Sequence, residues 1–242
     1  MIMEPVYSCL TTRAEILQQS IGPWRRIVVL AGPPGSGKST VAAEVARRLN
    51  AGKVVSAATV VPMDGFHYPR AMLDTFPNAA EAHSRRGAAW TFDADGVVAL
   101  CAALETSRHL PRDMAPGIRA PSFDHALKDP VPDAISILPS ASLVILEGNW
   151  LLYDEGPWRQ IASFADETWF IDVEPTVART RVARRHIQSG IEGDWQAALT
   201  RADTNDAPNG NEVRRKSIQP DVTVWSVEET NLEEGDKDKK GH

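Results

Sequence analysis

A glycine-rich run in the first fifth of the chain has the composition of a phosphate-binding loop. Residues 32–39 read Gly-Pro-Pro-Gly-Ser-Gly-Lys-Ser and fit the pattern G-x-x-x-x-G-K-[ST]. Glycines let backbone N–H groups turn towards phosphate oxygens, and the N-terminus of a following helix adds positive partial charge. In this pattern Lys38 reaches the β- and γ-phosphates, and the Ser39 hydroxyl binds Mg²⁺. The residues expected to contact the nucleotide are Gly32, Pro33, Pro34, Gly35, Ser36, Gly37, Lys38, Ser39 and Thr40.

Two acidic residues each follow a short apolar run directly. Asp64 follows Val-Val-Pro-Met, and Glu147 follows Leu-Val-Ile-Leu. In doubly wound sheets ligands bind at the carboxyl ends of the strands, so both carboxylates are expected to face the bound triphosphate. One could hold Mg²⁺, directly or through water, and the other could take the proton from an attacking hydroxyl. Each could instead cap a helix or a turn.

The elements that must position these residues alternate along the chain. Short apolar runs that read as strands cover residues 26–31, 59–63, 143–146, 168–171 and 222–225, and helical patterns cover 10–21, 39–50, 96–107 and 176–189. This alternation predicts an α/β fold of the P-loop nucleotide-binding type, with a mostly parallel five-stranded sheet and helices on both faces. A strand that ends at Ala31 and a helix that begins near Lys38 favour a phosphate loop over a glycine-rich turn with a solvated lysine.

Three further stretches lack a strand or helix pattern. Residues 65–95 and the proline-rich residues 110–139 are long insertions with little periodicity, and such insertions in a compact domain are often functional loops. Residues 228–242 are almost wholly polar and are expected to form a disordered tail. The sequence therefore predicts one P-loop domain over residues 1–227 followed by that tail.

Composition restricts the class of protein. The chain has 242 residues and a formal net charge of −6, which disfavours a general nucleic-acid binder because such a protein needs a basic face. Two cysteines favour a reducing compartment over a disulfide-stapled secreted protein. No apolar run approaches the roughly 20 residues that span a membrane, and no secretory signal is apparent. We therefore expect a cytoplasmic protein without membrane or nucleic-acid partners.

Four motifs follow the phosphate loop in an order that resembles a known group of kinases. They are Asp64-Gly-Phe-His67, Arg86-Gly-Ala-Ala-Trp-Thr-Phe-Asp93, Pro121-Ser-Phe-Asp-His125 and Glu147-Gly-Asn-Trp-Leu-Leu152. The pattern resembles the uridine kinase, phosphoribulokinase and bacterial-type pantothenate kinase superfamily, and it looks closest to the nucleoside/nucleotide-kinase-like and fructokinase-like branch. The resemblance runs from about Val28 to Asn211.

This resemblance implies roles for individual residues. Asp64 would be the general base and Glu147 an acid of the magnesium site. The side chains that would line the pocket for the phosphate acceptor are His67, Tyr68, Arg86 and His125. Either histidine could instead be an ordinary surface residue. Phe123 stands where relatives commonly have tyrosine, so one phenolic hydrogen bond is missing. Trp90 and Trp150 are expected to fill the core rather than wall the pocket.

A basic helix follows the fourth predicted strand. Pro175 is suited to open this helix and Gly190 to close it. Arg181, Arg184 and Arg185 share one face by three- and four-residue spacing, and such a cluster can clamp phosphate oxygens and neutralise charge in the transition state. The resemblance implies a mobile, arginine-bearing lid here. The alternative is a solvated basic face.

A polar segment, residues 201–210, comes after this helix. Its composition is that of a turn. By resemblance, a similar Asn/Asp segment lies near the nucleotide end of the site in related kinases. Asn205 and Asn209 are therefore assigned to the nucleotide, and an ordinary loop is the alternative.

Together these features predict an ATP-dependent and Mg²⁺-dependent kinase that moves the γ-phosphoryl group to a hydroxyl of a nucleoside, a sugar or a pantothenate-like molecule. The rival hypotheses are a P-loop ATPase that drives a conformational change and a nucleotide-sensing module. Asp64, His67 and His125, in or beside the long insertions, favour the kinase, because a sensor needs no acceptor pocket. A GTPase is disfavoured because Asn-Lys, the start of the guanine-reading motif, does not occur in the chain.

Overall fold

The structure, a computed structural model, describes residues 3–22, 24–54 and 56–227. In chain order its strands are β1 (Arg26–Ala31), β2 (Ala58–Pro62), β3 (Ile118–Asp124), β4 (Asp129–Ile137), β5 (Leu143–Gly148), β6 (Glu167–Val173) and β7 (Val222–Ser226). Its α-helices are α1 (Glu4–Gln19), α2 (Lys38–Asn50), α3 (Arg70–Leu73), α4 (Ala79–Ser84), α5 (Ala94–Arg108), α6 (Pro175–Gln188), α7 (Trp195–Arg201) and α8 (Ala207–Lys216). The predicted tail, residues 228–242, lies outside the described residues.

Five strands form one parallel sheet in the order β2-β5-β1-β6-β7. All six residues of β1 and of β5 are buried, as expected for central strands of a parallel sheet that is covered on both faces. Ile27, Val29 and Ala31 pack into one apolar cluster with α5, and Val28 and Leu30 pack into a second cluster with α1 and α2. The predicted fold class, a parallel five-stranded α/β domain with helices on both faces, is confirmed.

The two long insertions are not loops, and the expectation of little regular structure there is wrong. Residues 65–95 contain the short helices α3 and α4 and 3₁₀ turns. Within residues 110–139, β3 and β4 form an antiparallel hairpin with a register shift between Ala120 and Ser122. Prolines at 121, 130 and 132 mask the alternating pattern, and a half-exposed two-stranded sheet tolerates prolines that a central strand would not.

Three smaller predictions also need correction. The polar segment 201–210 is helical, because a π-helical turn (Ala202–Asp206) leads directly into α8. Trp90 is 41 % exposed and does not fill the core, whereas Trp150 is fully buried as predicted and its indole N–H donates to the carbonyl of Gly87 at 2.9 Å. Helix α1 begins six residues earlier than predicted and carries a proline in its first turn. Among the helices of the described residues, none is long and apolar enough to cross a membrane.

Candidate active site

The glycine-rich loop joins β1 to α2 and packs against α6. Gly35 and Gly37 have φ angles of +78° and +84°, which favour glycine. A β-carbon on Gly35 would lie 2.6 Å from the carbonyl oxygen of Ala178, so a side chain there would displace α6. Ser36 is fully buried and its hydroxyl oxygen has no protein partner. A cradle of this kind with an unpaired donor fits a phosphate group.

Lys38, Asp64 and Glu147 meet at the carboxyl edge of the sheet. Pro62, the last residue of β2, is paired with Glu147, and Asp64 lies two residues beyond Pro62. Burial lowers the pKa of the Lys38 ammonium group, against the opposing effect of the Glu147 and Asp64 carboxylates. Burial likewise raises the pKa of Glu147, and the nearby Lys38 counteracts part of this shift. The three charges therefore share one partly dehydrated site.

Ser39 lies beside Glu147, and its hydroxyl opposes part of the rise that burial causes in the pKa of the Glu147 carboxyl. Both groups supply the hard oxygen ligands that Mg²⁺ prefers. No group of three or more His, Cys, Asp or Glu side chains in the part of the chain that the structure describes is arranged to hold a metal by itself. Magnesium usually keeps water and binds one or two protein oxygens together with substrate phosphates, so the donor set present here fits it.

A cavity of about 620 Å³ extends from this edge between the insertions and the basic helix. Most side chains predicted for the site line it: Lys38, Ser39, Asp64, His67, Arg86, His125, Glu147, Arg185, Asn205 and Asn209. Tyr68, Arg181 and Arg184 do not line it. Tyr68 follows His67 in extended backbone, where successive side chains point to opposite sides, and it lines a separate cavity with Trp90 and Trp158.

The rings of His67, Phe92 and Phe123 form an aromatic wall on one side of the cavity. The His67 ring lies 3.9 Å from the Phe92 ring and 5.0 Å from the Phe123 ring, centre to centre. Its Nδ1 is 2.8 Å from the backbone oxygen of Asp64, and because a carbonyl only accepts, Nδ1 carries the proton. Burial lowers the pKa of the ring, which keeps it neutral and leaves Nε2 as a hydrogen-bond acceptor.

Arg86 holds the β3–β4 hairpin in place. Its guanidinium donates to Asp129 at 2.7 Å, to the Lys128 carbonyl at 2.6 Å and to the Tyr68 carbonyl at 2.9 Å. The same group lies 5.6 Å from the Phe123 ring centre. Its terminal nitrogens are thus used within the protein, while Nε has no protein partner. Arg86 therefore shapes the cavity wall as well as lining it.

The basic helix α6 presents its arginines in different directions. Arg181 donates to Ser226 Oγ at 2.8 Å, to the Val227 carbonyl at 2.7 Å and to the Gly35 carbonyl at 3.3 Å. Arg185, one turn later, lines the cavity, and Arg184 is exposed and outside it. The arginines predicted to share one face therefore differ: Arg181 anchors the phosphate loop, whereas Arg185 faces the cavity.

Several cavity residues were missed by the sequence analysis: Asn149, His186, Arg201 and Asp206. Asn149 lies two residues beyond Glu147, so the rule that ligands bind at strand ends would have found it. His186, Arg201 and Asp206 belong to α6, α7 and the π-helical turn, and only the packing of these elements brings them together. No local pattern marks them.

The cavity is electropositive although the chain is acidic overall. Six cationic side chains line it (Lys38, Arg70, Arg86, Lys128, Arg185 and Arg201) against three acids (Asp64, Glu147 and Asp206). The whole chain has a net charge of −6. A local excess of cations in an acidic protein suits a polyanionic ligand such as a nucleoside triphosphate.

Comparison with known proteins gives a consistent result. The sequence profile described as "Phosphoribulokinase / Uridine kinase family" matches residues 27–192. A Schizosaccharomyces pombe protein named "Putative uridine kinase C227.14" is 41 % identical over 205 residues, which cover 84 % of each chain.

Two crystal structures are similar throughout most of their length. A "putative fructose transport system kinase" from Silicibacter sp. TM1040 has a TM-score of 0.75 and 30 % identity, covering 90 % of this chain and 98 % of that one. YFH7 from Saccharomyces cerevisiae has a TM-score of 0.76 and 26 % identity, covering 94 % and 98 % respectively.

Proposed function

This chain belongs to the phosphoribulokinase and uridine kinase family, and from that premise we propose that it transfers the γ-phosphoryl group of ATP to a hydroxyl group of a small metabolite. Membership of the family makes it a P-loop kinase and confirms the resemblance predicted from its motifs. The observation that carries the proposal is the shared cavity, in which Asp64 and Lys38 face the space enclosed by the insertions.

The phosphate loop and Lys38 bind the triphosphate. Backbone N–H groups of the cradle and the N-terminus of α2 face the phosphates, and the Lys38 ammonium group neutralises charge on the β- and γ-phosphates. Ser39 and Glu147 would hold Mg²⁺, which supplies further charge neutralisation when it is bound. Arg185 reaches the cavity from α6 and stabilises charge on the transferred group.

Asp64 takes the proton from the attacking hydroxyl. It lies in the 3₁₀ turn Met63–Phe66 that directly follows β2, so its position is set by the rigid sheet. His67 closes this turn through its contact with the Asp64 carbonyl. A base held in this way needs only the acceptor hydroxyl within hydrogen-bond reach to act.

The acceptor binds in the part of the cavity beyond the phosphate loop. The relatives bear names that include uridine kinase and fructose transport system kinase, which points to a nucleoside or a sugar. The aromatic wall and the polar lining suit a molecule with one flat or carbon-bearing face and several hydroxyl groups.

A screen of hydroxyl metabolites with ATP and Mg²⁺, read by product mass, tests the proposal. Asp64→Asn keeps the shape of the side chain and removes its basicity, so transfer should fall by about 10²–10⁴-fold while ATP still binds. Asp113→Asn, at an exposed position away from the cavity, is the control and should leave transfer unchanged. If Asp64→Asn retained full transfer activity, Asp64 would not be the general base. ATP hydrolysis without any phosphorylated metabolite would indicate an ATPase.

A further inference from the structure

An acidic side chain lies beside the phosphate loop. Asp206, the last residue of the π-helical turn, lines the same cavity as Lys38. Burial lowers the pKa of the Lys38 ammonium group, and the Asp206 carboxylate is among the acids that oppose this shift, so the two charges are close. Four residues later Gly210 packs against the loop, since a β-carbon on Gly210 would lie 3.3 Å from Pro33 Cβ. The π-helical turn and α8 therefore hold an acid next to the place where phosphates bind.

A carboxylate in this position repels a polyanion unless its charge is neutralised. The Asp206 side chain is only 13 % exposed, so water screens it little. Like charges that are close together in a partly dehydrated site repel strongly, and binding of a proton or a cation relieves the repulsion. Asp64 and Glu147, the other acids that line the cavity, serve proton transfer and Mg²⁺ binding in the proposed mechanism. That mechanism gives Asp206 no role.

Asp206 is paired with a histidine that can accept a proton. The distance from His186 Nε2 to Asp206 Oδ2 is 2.9 Å, and because the carboxylate accepts, Nε2 carries the proton of the neutral ring. His186 is 4 % exposed, and its Nδ1 has no hydrogen-bond partner. Nδ1 is therefore the atom at which the ring can accept a further proton. Histidine is the side chain that ordinarily gains or loses a proton near neutral pH.

The charged groups on the elements around this pair decide whether His186 takes the second proton. Arg179 and Asp203 are paired with each other, and Arg201 lies 3.6 Å from Glu192. The cations that line the same cavity are Lys38 of α2, Lys128 of the β3–β4 turn, Arg185 of α6 and Arg201 of α7. These cations disfavour a further positive charge on His186, whereas Asp206 favours it. A triphosphate beside the cations and Asp206 shifts the balance towards the protonated ring, because it adds negative charge.

We propose that ATP binding draws a proton onto His186, so that the His186–Asp206 pair changes from net negative to neutral beside the triphosphate. The proton comes from solvent and binds at Nδ1, while Nε2 keeps its own proton and its hydrogen bond to Asp206. The pair continues to join α6 to the π-helical turn and no longer repels the phosphates. The inference rests on the proposed kinase function. Because binding and proton uptake are linked, ATP should bind more tightly as the pH falls through neutrality.

Calorimetric titration with a non-hydrolysable ATP analogue and Mg²⁺ measures the proton directly. Two buffers of different ionisation enthalpy at about pH 7 give the number of protons taken up per analogue bound. His186→Gln keeps an N–H that can donate to Asp206 but cannot accept a proton, and wild type should take up about 0.3–1 proton more than this variant. Proton exchange by the analogue itself is common to both proteins and cancels. His109→Gln is the matched control and should behave like wild type, because His109 Nε2 lies 2.9 Å from Glu105 at an exposed position.

The pH dependence of the affinity is the second measurement. Between about pH 8.5 and about pH 6.5, binding of the analogue to wild type should tighten by roughly 3- to 10-fold more than binding to His186→Gln, and the two proteins should bind it equally at the higher pH. Equal proton uptake and equal pH dependence in the two proteins would reduce His186 to a contact between α6 and the π-helical turn and overturn the proposal. The same loss of affinity in His186→Gln at both pH values would overturn it as well.

Asp206→Asn tests the acid itself. Asparagine keeps an oxygen that can accept from His186 Nε2 but carries no charge, so this variant should bind the analogue at least as tightly as wild type at about pH 8.5. Weaker binding at that pH would show that the carboxylate attracts the ligand, as a magnesium ligand would, and would overturn the proposal. Binding of the analogue to wild type without proton uptake overturns this inference and leaves the kinase proposal intact. Absence of binding at either pH would count against the kinase proposal itself.

Discussion

At the level of single residues, Lys38 and Glu147 are charged side chains whose burial costs free energy of folding. Burial disfavours both charges, so that the pKa of Lys38 is lowered and the pKa of Glu147 is raised. Their mutual attraction offsets only part of this effect. Such groups are poised to gain from a bound polyanion and its metal, which replace the lost water.

Glu147→Gln should therefore stabilise the ligand-free protein at neutral pH. A raised carboxyl pKa means that the stability present below the usual glutamate pKa, about 4.3, is lost as pH rises through the folded-state pKa. Glutamine does not ionise and avoids that loss. The gain in Tm over wild type should be largest at neutral pH and shrink as pH falls towards 4.3.

Thermal unfolding of both proteins across this pH range measures the effect, and phosphoryl transfer by the variant should fall because the proposed magnesium ligand is lost. A Tm difference that does not change with pH would show that the ionisation of Glu147 carries no cost in the folded protein.

At the scale of elements, α6 both supports the phosphate loop and contributes to the cavity. Arg181 connects the helix to Gly35 in the phosphate loop and to the end of β7, whereas Arg185 lines the cavity. His186 and Arg179 fasten the helix to the π-helical turn through Asp206 and Asp203. Helix α6 therefore connects the phosphate loop to the wall of the cavity.

Arg181→Ala and Arg185→Ala should have different kinetic effects. Loss of Arg181 releases the phosphate loop and should chiefly weaken ATP binding. Loss of Arg185 removes a charge that we propose acts in the transition state, and it should lower kcat with little change in ATP affinity. Arg47→Ala, on the exposed side of α2, is the matched control. The same kinetic defect in both variants would contradict this division of roles.

At the scale of the whole molecule, cationic side chains are concentrated around the cavity. Six cationic side chains converge on a cavity in a chain of net charge −6, and they come from both insertions and from helices α2, α6 and α7. The sheet provides the frame, and the segments around the cavity are held by hydrogen bonds and ion pairs as well as by apolar side chains such as Phe66, Phe92 and Ala120 in the core. Ligand binding should therefore stabilise the fold as a whole.

A non-hydrolysable ATP analogue at about 100 times its Kd should stabilise the protein by about 2.7 kcal/mol. For a chain of this size that corresponds to a rise in Tm of roughly 5–10 °C. Lys38→Ala removes the cation proposed to face the β- and γ-phosphates, so both the rise in Tm and turnover should be lost. Lys53→Ala, at an exposed position, should behave like wild type. A full Tm rise in Lys38→Ala would contradict the assignment of the phosphate loop.

Local patterns in the sequence were sufficient for the frame of the molecule and for the edge of the sheet where Lys38, Asp64 and Glu147 meet. The phosphate loop is contiguous, residues 27–31 and 143–146 are uninterrupted apolar runs, and Asp64 and Glu147 lie near the carboxyl ends of the parallel strands β2 and β5. The hairpin β3–β4 was missed because its strands are half exposed and interrupted by prolines. Apolar and polar residues therefore do not alternate along these strands.

Tertiary structure alone decided which side chains face the cavity. Arg181 and Arg185 look equivalent in sequence, and only the rotation of α6 against the phosphate loop separates them. Asn205 reads as part of a polar turn until its amide meets the Arg86 carbonyl, 119 residues away in the chain. Contacts between residues so far apart depend on how the insertions and α6–α8 pack over the sheet, and no local spacing encodes that packing.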